Sequence, residues 1–261
     1  MFSIPPSLIR SLLVLVCLIG SVVLVQAEEV KRYEGPKEKL HLYLLIGQSN
    51  MAGRAPLGEE LKGVIDRCYL LNAGNEWEPA KNPLNRYSTI RKGLGMQKLG
   101  PGDSFARTML KENKDISLGL VVNAKGGSSI KQWSKESAFY KDAVKRMTEA
   151  RKSGVLKGIL WHQGESDAKD AEYLDKLSAL VENLRKDFGM PDLPFVAGQV
   201  NNLPLINTQI SKLPEKVDGT GFVSSMGLKA MDRWHFDAAS MKLLGERYAR
   251  EMQKVQAGRE N

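Results

Sequence analysis

Five apolar runs punctuate this chain, and each stops abruptly at glycine or at a cluster of polar groups. Leu42-Tyr43-Leu44-Leu45-Ile46 ends at Gly47 and leads into Gln48-Ser49-Asn50-Met51-Ala52-Gly53. Ile116 to Asn123 ends in Ala124-Lys125-Gly126-Gly127-Ser128-Ser129-Ile130, and Gly158-Ile159-Leu160-Trp161 ends in His162-Gln163-Gly164-Glu165-Ser166-Asp167. Pro194 to Val200 and Thr220 to Met226 are the remaining two, and a shorter strand is predicted near Tyr69. Unbroken apolar runs of this length read as strands buried on both faces, the pattern of a parallel sheet. Between them, apolar residues recur at helical spacing over Phe105–Leu110, about Ser137–Lys152, about Asp170–Phe188 and about Ala238–Gln253. Asp103 or Ser104 is the expected cap of the first of these, and Gly154, then Gly189 with Pro191, close the next two. Strands alternating with helices predict an α/β fold, a parallel sheet with helices on both sides. Ala55 to Arg91, rich in Gly, Pro and Asn, reads either as a long loop that shapes a cleft and offers Trp77 to a ligand, or as a hairpin with Trp77 packed.

The amino terminus follows another pattern. Arg10 precedes a mostly apolar run from Ser11 to Val25, and Val25-Gln26-Ala27 has the small residues of a cleavage site. Residues 1–27 therefore read as a secretory signal, because about 15 apolar residues fall short of the roughly 20 that span a bilayer as a helix. Residues 28–39 are a polar leader, 40–255 the domain and 256–261 a polar tail, in a secreted or periplasmic product without an integral membrane segment. Of two cysteines, Cys17 leaves with the signal, and Cys68 remains as a buried structural thiol without a disulfide partner. The formal charge of +8 loses only Arg10 with the signal, 8 − 1 = +7, and its lysines alternate with acids along helices. A solvated surface explains that distribution, whereas a nucleic-acid binder concentrates its charge on one stripe.

Chemistry is concentrated where the strands stop. In open α/β sheets ligands bind beyond the carboxyl ends of the strands, and Ser49 stands there as a nucleophile or as a helix cap. Glycines at 126 and 127 let a ligand approach backbone N–H groups, as an oxyanion site requires, although a tight turn also uses them. A serine nucleophile needs an imidazole, and the chain has three. His41 begins the first strand, at the wrong end. His235 follows Asp232 by three residues in a polar loop, where the carboxylate can orient the ring, or both can cap the last helix. Gly102-Asp103-Ser104 spells an esterase nucleophile motif, but no strand precedes it. The group His162, Gln163, Glu165 and Asp167 lacks metal-ligand spacing such as His-Glu-x-x-His, and neither metal nor cofactor is expected.

Taken in order, Gly47-Gln48-Ser49-Asn50-Met51, Gly126-Gly127-Ser128-Ser129-Ile130, Trp161-His162-Gln163-Gly164-Glu165-Ser166-Asp167 and Asp232-x-x-His235 resemble the blocks of the SGNH-hydrolase superfamily. Within it they are similar to the sialate O-acetylesterase and carbohydrate esterase family 6 branch, over about residues 40 to 255. The resemblance implies a three-layer α/β/α fold with a mainly five-stranded parallel sheet, and a serine esterase that removes O-acetyl groups from carbohydrate, of acetylxylan or sialic acid type. It implies Ser49 as nucleophile, His235 as base and Asp232 as acid, with Glu165 the competing acid. The implied oxyanion donors are the N–H of Ser49, the N–H of Gly127 in preference to Gly126, and the side chain of Gln163. Gln48 replaces the Asp of the superfamily's first block, and Gln163 stands where Asn is usual. Two other readings are a carbohydrate-binding protein that kept the fold without catalysis, and an esterase of lipid or thioester substrates.

Overall fold

The computed structural model describes residues 32–258, so the signal read in residues 1–27 lies outside the described residues. The central sheet has seven strands: β1 Leu40–Gly47, β2 Val64–Leu71, β3 Trp77–Lys81, β4 Ser117–Ala124, β5 Val155–His162, β6 Phe195–Gly198 and β7 Thr220–Val223. Their order across the sheet is β3-β2-β4-β1-β5-β6-β7, parallel throughout except for the antiparallel edge pair β2 and β3. The sheet is thus two strands larger than the five that the resemblance implies, and one larger than the six read along the chain. β2 is the short strand near Tyr69, and β3 was hidden because Trp77-Glu78-Pro79-Ala80-Lys81 carries the proline and charge of an edge strand rather than an apolar run. Residues 55–91 are therefore partly a hairpin, and Trp77 is packed, its Nε1 donating to Ser153 Oγ at 2.7 Å.

Among the described residues there are seven α-helices: α1 Ser49–Ala52, α2 Gly102–Glu112, α3 Ala138–Ala150, α4 Tyr173–Phe188, α5 Pro204–Ser211, α6 Leu213–Lys216 and α7 Ala238–Ala257. The apolar face of β1 explains the three layers. Leu40, Leu42, Leu44 and Ile46 join one core with Met147 of α3, Leu180 of α4 and Ile210 of α5. Tyr43 and Leu45, on the other face, join a second core with Phe105 of α2 and Leu244 of α7. With both faces covered, alternation of polar residues along β1 would bury unpaired groups, and the run is apolar throughout.

Some boundaries differ in detail. Ser137 caps α3, accepting from the N–H of Tyr140, and Gly189 ends α4 in the left-handed conformation. Pro101, not Asp103 or Ser104, is the residue before α2. Asp103 instead accepts from Asn82 Nδ2 at 2.7 Å and pairs with Arg107, while Ser104 is buried between α2 and α7. The last helix is capped by Asp237, which accepts from Ser240 N, and runs to Ala257, about a turn beyond the expected end near Gln253. No helix among the described residues is long and apolar enough to cross a membrane.

Registry sets the position of the site. Gly47 pairs with Ala124 on one side and His162 on the other, so β1, β4 and β5 stop level with one another. The chain leaves β1 toward β2, returns through β4, and crosses over β1 to β5. That reversal opens a crevice at the carboxyl end of β1.

Candidate active site

Ser49 sits in this crevice as the first residue of α1, because the turn that precedes it is shaped by Gly47. Gly47 has φ +133°, and a Cβ there would lie 2.2 Å from the carbonyl oxygen of His162. The same carbonyl accepts from Gln48 N at 2.8 Å, which draws the loop tightly over the end of β5. Ser49 is 6% exposed and does not cap the helix; Gln48 holds the capping position without a side-chain bond. As the first helical residue, Ser49 has an N–H with no acceptor in its own helix.

His235 and Asp232 come from the loop between β7 and α7. His235 Nε2 is 3.0 Å from Ser49 Oγ, and its Nδ1 is 2.8 Å from Asp232 Oδ2. Asp232 Oδ1 also accepts from the N–H groups of Trp234 at 2.7 Å and His235 at 2.8 Å. Burial works against its charge, but the His235 ring and these two N–H groups together hold Asp232 below the usual carboxylate range. The arrangement fits a base tautomer with Nδ1–H on the carboxylate and Nε2 free to take the hydroxyl proton.

Glu165, the competing acid, lines the cleft but does not reach His235. Its Oε1 accepts from Asn50 Nδ2 at 2.8 Å, and its Oε2 is buried without a hydrogen-bond partner. Burial pushes this carboxyl up to about 7.

Gly127 and Gln163 differ in what they offer. Gly127 has φ +76° in a turn closed by Ser128 N on Lys125 O at 3.3 Å, and it is exposed at the cleft. A Cβ there would meet only Lys92 Nζ at 3.8 Å, so the approach to its backbone is open. Gly126 is buried behind it, and a Cβ would lie 2.5 Å from Arg54 Nη2. Gln163 departs from the expectation of an oxyanion donor. It is fully buried, and its Nε2 faces Ser128 O at 3.0 Å, Gln48 Oε1 at 3.0 Å and the Asp167 carboxylate. Three acceptors engage its two N–H groups and fix the amide orientation, leaving none for the cleft. Asp167 also accepts from Ile130 N at 2.8 Å, so Gln163 and Asp167 brace the glycine turn from behind.

The other two histidines are placed elsewhere. His162 is fully buried with Nδ1 against Tyr248 OH at 3.1 Å, and burial pulls it down to about 3, which keeps the ring neutral. His41 lies at the amino end of β1, the opposite end from Ser49, beside a larger cavity of about 740 Å³. Cys68 is buried in β2 and its thiol is pushed up by burial. No group of three or more potential metal ligands occurs among the described residues.

The cleft above Ser49 has a volume of about 330 Å³ and adds Arg54, Lys92 and Trp234 to the expected residues. Arg54 is 9% exposed, donates through Nη1 to Gly53 O and Met96 O, and pairs with no carboxylate among the described residues. Trp234 adjoins His235, with the Arg233 guanidinium 4.4 Å from its ring centroid. None of these carried a sequence signal beyond its nearness to a motif. Asn50 did carry one, as a polar residue directly after Ser49 in a turn with no room for unpaired groups.

A family model described as carbohydrate esterase, sialic acid-specific acetylesterase, matches residues 39–254. A probable carbohydrate esterase of Arabidopsis thaliana, At4g34215, is 35% identical over 190 residues, covering 65% of this chain and 72% of that protein. Its X-ray structure superposes with a TM-score of 0.74 over 84% of this chain and 99% of the other, at 28% identity. NanS, at 17% identity, shares the fold with a TM-score of 0.70 over 86% of this chain and all of its own. So does XAC1771, a carbohydrate acetylesterase from Xanthomonas citri, at 20% identity and a TM-score of 0.61 over 83% of this chain and 57% of that one. With the family model spanning the whole sheet and all four site loops, the chain belongs to the carbohydrate esterase, sialic acid-specific acetylesterase family.

Proposed function

We propose that the chain removes O-acetyl groups from carbohydrate through an acetyl-Ser49 intermediate. The observation that carries this reading is the unbroken hydrogen-bond chain Ser49 Oγ to His235 Nε2 at 3.0 Å and His235 Nδ1 to Asp232 Oδ2 at 2.8 Å. His235 takes the Ser49 proton as Oγ attacks the acetyl carbonyl carbon. The carbonyl oxygen becomes an oxyanion held by the N–H groups of Ser49 and Gly127. When the C–O bond to the sugar breaks, His235 Nε2 returns the proton to the leaving hydroxyl oxygen. Water then attacks the acetyl-serine, giving its proton to His235, and acetate leaves as Ser49 is reprotonated. Asp232 holds the ring tautomer and stabilises the imidazolium of each step. Glu165 is not the acid in this scheme, since the two atoms it could use are the one that meets Asn50 and the one that meets nothing.

A cleft with Arg54, Lys92 and Gln48 in its lining suits a hydroxyl-rich leaving group better than an acyl chain or a thioester carrier. Together with the secretory signal read in residues 1–27, this favours an enzyme exported to meet acetylated glycans. The test is acetate release from acetylated sialic acids and acetylated xylo-oligosaccharides by the native chain and by Ser49→Ala. Native turnover on one of the two classes, abolished in the folded variant, is expected; undiminished turnover in Ser49→Ala refutes the mechanism.

A further inference from the structure

Glu165 and Asn50 are both buried beside Ser49, and the acyl-transfer scheme uses neither. Asn50 is fully buried and makes three contacts. One Nδ2 hydrogen reaches Glu165 Oε1 at 2.8 Å and the other reaches Trp234 O at 3.0 Å, while Oδ1 accepts from Phe236 N at 3.3 Å. Trp234 and Phe236 flank His235. One side chain thus grips the backbone on both sides of the base, and it grows from the residue covalently next to the nucleophile.

The loop needs such a grip. Residues 224–237 contain no helix or strand, only a single bridge between Ala230 and Phe236. The contacts of Asp232 with Trp234 N, His235 N and His235 Nδ1 are internal to the loop; they shape it but do not aim it at Ser49. Asn201 Nδ2 holds Arg233 O at 3.0 Å.

Resting on the reading of Ser49 and His235 as nucleophile and base, we infer that Asn50 is a positioning residue that sets the distance between them, and that Glu165 acts only through Asn50. Glu165 keeps the Asn50 amide turned so that its second N–H meets Trp234 O and its oxygen meets Phe236 N. Reversal of that amide would put its oxygen against Glu165 Oε1 and Trp234 O, three acceptors together. A positional error of about 1 Å between reacting groups costs on the order of 10²-fold in rate. The effect falls on kcat, because neither side chain needs to touch the sugar.

The experiment is a double-mutant cycle with steady-state kinetics on an aryl acetate, with Ser49→Ala alongside. Asn50→Ala is expected to lower kcat by about 10²-fold with KM within about twofold. Glu165→Ala lowers kcat in the native background, but by less than about twofold once Asn50 is already Ala, because it has lost its intermediary. Glu165→Gln, which keeps an oxygen for Asn50 Nδ2, recovers most of the loss seen in Glu165→Ala. Should Asn50→Ala not fold, Asn50→Asp takes its place; adding Glu165→Gln returns a donor to the pair and raises kcat over Asn50→Asp alone. Equal losses from Glu165→Ala in both backgrounds, a loss expressed in KM, or Glu165→Gln as inactive as Asp232→Asn overturns the inference. Turnover surviving in Ser49→Ala would instead overturn the mechanism on which it rests.

Discussion

Replacing Glu165 with Gln should alter how stability depends on pH, and the structure supplies the magnitude. The folded chain keeps Glu165 protonated up to about pH 7 because burial disfavours its charge, whereas the ordinary glutamate value is 4.5. Between those values the unfolded chain has released this proton and the folded chain retains it. The folded state binds more protons, so stability falls as pH rises through the window and stays lower above it. At about 1.4 kcal/mol per decade, the window corresponds to about 3 kcal/mol. Glu165→Gln carries no titrating group and lacks this component. Its amide does place N–H donors where Oε2 has no partner, a pH-independent cost of about 1–3 kcal/mol. The prediction is therefore the difference in slope, not the absolute stability. Urea unfolding of both proteins at pH 4.5, 6, 7 and 8 measures it, since every other titrating group cancels between them. The Gln variant should gain about 3 kcal/mol relative to the native chain from the lowest pH to the highest, a relative Tm change on the order of 6–12 °C for a domain of this size. Parallel stability curves would refute the assignment of Glu165 as a buried, uncharged acid.

Two further substitutions probe the geometry. Gly47→Ala places a methyl 2.2 Å from a His162 carbonyl that cannot retreat without breaking its bond to Gln48 N, at a φ of +133° that an L residue avoids. Strain and overpacking of about 1–3 kcal/mol each should appear as a lower Tm together with lost esterase activity, and a native Tm with full activity would contradict the role given to this turn. Asp232→Asn should leave the fold intact and lower kcat by about 10²–10⁴-fold; the upper limit comes from a buried acid, and the Asp232 side chain is 49% exposed. Steady-state kinetics on an aryl acetate reads it, and a loss under about tenfold would leave Ser49 and His235 acting as a dyad.

The parts of the site that could be read from the chain are those imposed by backbone chemistry. Apolar runs on β1, β4 and β5 had to be buried on both faces, so the polar residues at their ends had to gather at one end of the sheet; that brings Ser49, Gly126, Gly127 and Glu165 together, whereas their separate roles were implied only by the family resemblance. His235 was within reach because only three imidazoles exist and the other two lie on strands. What escaped depends on which atom faces which. Gln163 has the right residue type, at the right strand end, to donate to an oxyanion, yet its two N–H groups are taken by Ser128 O, Gln48 and Asp167. Nothing in spacing distinguishes an amide that faces a cleft from one that braces the turn behind it. β3 was missed for a related reason, since an edge strand protected by Pro79 and Lys81 does not present the apolar pattern by which buried strands are recognised.

The same distinction explains why the acid could not be chosen from sequence. Asp232 and Glu165 are both carboxylates beside the base in space, one three residues away and the other at the end of β5. They differ in solvation. Asp232 is stabilised as an anion by two N–H groups and an imidazole at a half-exposed position, which suits a group that must stay charged while the ring gains a proton. Glu165, in a dry environment with one oxygen unpartnered, would resist ionising at the moment its charge was needed. A carboxyl in that state serves better as a fixed acceptor for Asn50 than as a counter-ion for an imidazolium. The low-dielectric setting that makes Glu165 a poor counter-ion strengthens its hydrogen bond to Asn50, as a positioning role requires.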